Sequence, residues 1–369
     1  MSALGEVDAR LFEPALGYLD RGRGALFRVS GPLVRPFVRS RDLRAIALVA
    51  ISVTLALAAS AFATGYLLLW GPLAFGVTHL AFEARYLLPE RHKKNRALIA
   101  ILAVQALLAF EGLAVFALPL AAAAAVMVTS RATEPATRRR HRAWTLLALA
   151  GSSGIVLAAP SWSRFALLHL HNLVPLGVWL VWRGRPRSVS ATVLALVASA
   201  LGAVLLGAFD GVPTHTPLSD RVFSIGKVAD AVAALFSSPY RKRCLVAFAF
   251  TQALHYGLWI RVVPEEARER ATPRPWVASW RAYKADAGRG FARMSVLGAL
   301  LVPLAVVALG AVRARSLYVS ASEFHASVEA VLVCILLMDR HRDPRPRAER
   351  DGRLAESVDP RPEGCHFGA

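Results

Sequence analysis

Apolar residues gather along this chain into runs of about 17 to 25, the length that crosses the roughly 30 Å hydrocarbon core of a bilayer at 1.5 Å per residue. Residues 45–88 are too long for one crossing and too short for three, and they part near Ala63–Gly65. Residues 97–130 part in the same way near Glu111–Gly112. Further runs cover 143–159, stopping at Pro160, then Phe165–Trp182, Ser190–Ala208, Cys244–Val263, Met294–Val312 and Leu317–Met338. The pattern predicts an all-α, polytopic transmembrane bundle of about ten helices over 43–338.

Around that bundle the polar segments divide. Residues 1–42 mix Leu and Phe with Arg and read as a basic, partly amphipathic stretch on the cytoplasmic membrane face. Residues 209–243 form the long outer loop, where Val222, Ile225, Val228, Val232, Leu235 and Phe236 recur at helical spacing. Residues 264–293 form a cytoplasmic loop, and 339–369, rich in Arg, Pro and Asp, read as a disordered cytoplasmic tail.

Charge fixes the expected orientation. The 369 residues carry a formal net charge of +19, which in a soluble protein would suggest nucleic acid. Here Lys and Arg fall almost wholly between the apolar runs, so no nucleic-acid partner is expected. With the N-terminus inside, only Arg164, Arg221, Lys227, Arg241, Lys242, Arg243, Arg313 and Arg315 of the 44 Lys and Arg lie outside. That bias predicts both termini on the cytoplasmic side and an even number of crossings, in a cell inner membrane with anionic lipids as neighbours. The first long apolar run begins only near Leu43, so no cleaved signal peptide is expected, and Cys244, Cys334 and Cys365 offer no CxxC pair or disulfide framework.

Ionisable side chains inside apolar spans cost roughly 2.5–3.5 kcal/mol each and by default mark a site. Five of the ten histidines fall inside the predicted spans: His79, His169, His171, His255 and His325, accompanied by Glu83 and Glu329. His79–Glu83 and His325–Glu329 are both H-x-x-x-E, a spacing that puts imidazole and carboxylate on one helix face a turn apart. These four and His255 are the candidate metal ligands. His169, His171, Asn172 and Gln252 are candidate cofactor-binding residues: Asn172 lies at i+3 from His169 and Gln252 at i−3 from His255. His169 and His171 lie about 200° apart on an ideal helix, which cannot point both at one centre. Glu83 has an alternative partner in Arg85. Trp70, Trp179, Trp182, Trp259, Trp276 and Trp280, near span ends, are expected in the interfacial belt.

Neutral imidazole with carboxylate suits iron or zinc, and two facing imidazoles suit haem iron. The first expectation is therefore an iron-dependent membrane oxidoreductase, mono- or dinuclear, acting on a lipid-like or isoprenoid substrate. Hydroxylation, desaturation or oxidative cleavage would each fit, and a redox partner is expected. A b-type haem protein for electron transfer or gas sensing is the second reading, and a transporter relaying protons through His and Glu the third. In its scattered intramembrane histidines the chain loosely resembles the Brp/Blh-type carotenoid-cleaving oxygenases. It departs from them in having no Pro-His-Gly-Ala-Leu-Asp stretch and in the long separation of His255 and His325. It also has none of the H-x-x-x-H and H-x-x-H-H boxes of membrane desaturases.

Overall fold

The computed structural model describes residues 13–87, 94–130, 135–182, 186–212, 240–266, 273–322 and 324–340, and among them every regular element is helical. Two short helices lead in, α1 (Glu13–Val29) and α2 (Gly31–Arg39). Ser40 then caps α3 (Arg41–Phe62), its Oγ accepting from the Leu43 N–H at 3.2 Å. A one-residue break leads into α4 (Thr64–Leu87), so the 45–88 run divides where the sequence places the division. Asn95 caps α5 (Arg96–Phe110), which turns through Gly112, at φ +75°, into α6 (Ala114–Ser130).

The middle of the chain is more broken than its hydropathy. α7 (Pro135–Ala158) meets α8 (Pro160–Leu170) at a bend of 114°; a 3₁₀ turn, His171–Leu173, then leads into α9 (Val174–Trp182). The predicted helix over Phe165–Trp182 thus winds through a 3₁₀ turn near its middle. α10 (Arg187–Leu205) follows. α11 (Tyr240–Gly257) continues through a π turn, Leu258–Val262, into the short α12 (Val263–Glu266). Then come α13 (Trp276–Ala287), α14 (Arg289–Leu309), α15 (Ala311–Ser322) and α16 (Phe324–Arg340). The predicted Leu317–Met338 helix is helical over its described residues on both sides of position 323. The expected amphipathic helix over 222–236 and the tail beyond 340 lie outside the described residues.

Helices α3, α4, α10 and α14 are long and apolar enough to cross a membrane, and the bent α7–α9 run makes a fifth if it counts as one span. Helices α5, α6 and α16 are apolar but shorter. The core forms because successive turns place small or branched residues on one stripe. Ala45, Val49, Val53 and Ala56 of α3 belong to one buried cluster with Val193 and Val197 of α10, Phe250 and Leu254 of α11, and Val331 and Ile335 of α16. Helix α14 stands outside this core, with Ala292 its one buried residue.

Polar contacts tie the end of the bundle where α1, α2 and α13 gather. Arg44 donates through Nε to Glu265 at 2.7 Å, a buried pair, and through Nη1 to the carbonyls of Phe37 and Val38. Asp20 of α1 caps α13 from a distant part of the chain, accepting from the N–H groups of Trp276 at 2.8 Å and Val277 at 3.1 Å. Glu13 pairs with Arg281 and Lys284, and Arg85 with Asp286.

Candidate metal centre

Four helical segments each deliver one imidazole to the same place. On α4, His79 and Glu83 share a face and are both buried. The Nδ1–H of His79 donates to the Phe75 carbonyl one turn back, at 3.1 Å, which leaves Nε2 to point inward. His171 opens the 3₁₀ turn after α8 and uses the same device, Nδ1 to the Leu167 carbonyl at 3.1 Å. His255 comes from α11 and His325 from the first turn of α16.

The four rings pack edge to face on one another. His79 lies 5.2 Å from His255 and 5.3 Å from His325, ring centre to ring centre. His171 lies 5.4 Å from His255 and 5.3 Å from His325, while His255 and His325 stand 6.4 Å apart. A ligand nitrogen from each of His79, His255 and His325, with a Glu83 oxygen, forms a set whose members all lie within 4.8 Å of one another.

Beneath the rings lie two carboxylates. Glu329 is wholly buried one turn along α16 from His325, and its Oε1 accepts from the Trp259 Nε1–H at 3.2 Å. His79 Nε2, both nitrogens of His255, Glu83 Oε2 and Glu329 Oε2 are buried with no hydrogen-bond partner among the described residues. Leaving one such group unsatisfied costs about 1–3 kcal/mol, and here several point into one space. A cation removes that cost for all of them together, so a buried His/Glu group able to hold a metal ion is the feature this fold builds.

The candidate cofactor-binding residues separate. His171 joins the other three histidines, whereas the His169 ring packs on Phe165 and Phe248, with Nδ1 bonded to the Phe165 carbonyl at 3.0 Å. Asn172 is buried and donates to Thr251 Oγ1 at 3.3 Å, bracing the turn of His171 against α11. Gln252 reaches the hydroxyl of Tyr256 one turn on. Glu83 turns to the histidines rather than to Arg85. Two of the tryptophans expected at the membrane interface are instead core residues: Trp179 and Trp259 are wholly buried, because the π turn directs the Trp259 indole N–H to Glu329.

Tyr256 is the neighbour that spacing alone did not reveal; its ring packs 4.7 Å from that of His79. Its signal is Gly71, one of two glycines on the face of α4 that carries His79: a Cβ there would meet the Tyr256 ring at 3.4 Å, and one at Gly76 would collide with Tyr318. Comparison with known protein families, curated proteins and solved structures finds no match.

Proposed function

We propose that this chain is a multi-pass inner-membrane oxidoreductase holding one iron ion on His79, His171, His255 and His325, with Glu83 as a further oxygen donor. The observation that carries this reading is the convergence of four imidazoles at 5.2–5.4 Å across adjacent pairs. Imidazole-rich donor sets suit iron, copper, nickel and zinc. Iron is preferred because a centre enclosed by apolar helices is reached most easily by oxygen and apolar molecules, and iron supplies redox chemistry there. The chain's own residues orient the imidazoles through the Phe75 and Leu167 carbonyls, hold Glu329 through Trp259, and exclude water with Phe250, Leu254 and Leu258.

The substrate class is apolar, of lipid or isoprenoid kind, and a separate redox partner supplies electrons where the reaction needs them. The ten-crossing arrangement with both ends inside belongs to the same proposal, supported by the chain breaks at 63 and 111–113 and by the distribution of Lys and Arg. Haem b is the second reading; two of the histidines would hold its iron, and it would supply electron transfer or gas binding.

Metal analysis of protein purified without chelator tests the reading. One iron per chain and an absorption spectrum lacking a Soret band are expected. A Soret band would transfer the case to haem, and metal-free protein that moves protons across a vesicle membrane would transfer it to transport.

A further inference from the structure

We propose that Arg315, with Tyr256 and Tyr318, receives the carboxylate end of a single-chain apolar molecule beside the metal centre. This rests on the oxidoreductase reading in one respect only, that the bound molecule is the substrate.

The argument begins with a missing hydrogen bond. Pro72 lies inside α4 and has no N–H, so the carbonyl of Leu68, four residues earlier, loses its helical partner. Arg315 of α15 fills that gap, with Nε donating to the Leu68 oxygen at 2.6 Å. The side chain is thereby fixed through one nitrogen. Its two terminal amino groups have no acceptor among the described residues, and no described carboxylate pairs with it. Arg315 is only 8% exposed. A guanidinium kept in such surroundings with only a neutral carbonyl as partner calls for an anion.

The surroundings suit a carboxylate. Terminal guanidinium nitrogens bind a carboxylate in a two-pronged fork, a geometry that lysine cannot copy. Tyr318 lies one turn along α15 from Arg315, and Tyr256 packs on the same stretch of α4, so two phenols share this corner. Both are admitted by glycines of α4, Tyr256 at Gly71 and Tyr318 at Gly76. The far side of Tyr256 rests on His79 at 4.7 Å. A molecule anchored at Arg315 therefore begins one aromatic ring away from a metal ligand, with its apolar chain inside the bundle.

The test must separate the anchoring role of Nε from binding by the terminal nitrogens. Pro72→Ala restores an N–H for the Leu68 carbonyl, so the double variant P72A/R315Q loses the guanidinium without orphaning that oxygen. Binding of a fluorescent conjugated polyene fatty acid and of its methyl ester is measured on full-length protein in phosphatidylcholine nanodiscs. Wild type and P72A should hold the acid about 10- to 100-fold more tightly than the ester, the range of one charge-assisted contact. In P72A/R315Q that preference should vanish, and R315K should keep only part of it.

Equal binding of acid and ester by wild type, or an undiminished preference in P72A/R315Q, overturns the proposal. So does displacement of the acid when phosphatidylglycerol is added to the nanodisc, which would make this a lipid-headgroup site. Metal content measured on the same samples keeps the two readings apart. Iron at one per chain without acid preference sinks this inference alone, and acid preference in metal-free protein sinks the metal reading alone.

Discussion

Replacing His171 and His169 separately gives the sharpest test of the centre, because the two residues are adjacent in every respect but direction. An ideal helix turns about 100° per residue and sets them on opposite faces. Accordingly the His171 ring lies 5.3 Å from that of His325, while the His169 ring stays against Phe165 at 4.0 Å. Removing a group that merely orients a ligand costs about 10- to 100-fold in metal affinity, so losing the ligand itself should cost more than about 100-fold, or about 2.7 kcal/mol. His171→Ala and His171→Gln should both show that loss in a chelator-competition titration of purified protein. His169→Ala should stay within about threefold of wild type, since it gives up ring packing and a local backbone bond but no ligand. Gel filtration and circular dichroism confirm that each variant is folded, and free imidazole should restore part of the metal to His171→Ala. Equal losses at both positions, or full occupancy in either His171 variant, would refute the four-imidazole centre.

Two further outcomes concern the scaffold. Glu265→Ala leaves Arg44 buried without its carboxylate and should destabilise the protein by about 3–5 kcal/mol, read as a lower Tm in detergent, whereas R44M/E265L should recover most of it; a double variant no better than the single would contradict the buried pair. Asp20→Ala should remove about 1 kcal/mol from the start of α13 and speed hydrogen exchange at the Trp276 and Val277 amides, and unchanged exchange there would show that the cap across the chain is idle.

The sequence announces the centre more clearly than the path of the chain around it. His79, Glu83, His255, His325 and Glu329 stand out because titratable groups in oil are rare, and because i, i+4 spacing carries direction as well as identity. The choice between His169 and His171 was not legible, since the two lie on opposite helix faces and hydropathy does not say which face meets the other histidines. Trp259 misled because proximity to a span end is a one-dimensional property, whereas its hydrogen bond to Glu329 joins residues far apart in the chain. The docking of α1 on α13 rests on single Asp and Glu side chains in polar stretches, where no periodicity marks a partner.

The four imidazoles come from positions 79, 171, 255 and 325, so the centre draws on nearly the whole length of the polypeptide. During synthesis the coordination set stays incomplete until the last long helix has left the ribosome and found its place. Shortened products ending before that helix have three of the four rings and cannot close the cage. A metal held by all four rings would therefore be retained by finished molecules and not by interrupted ones.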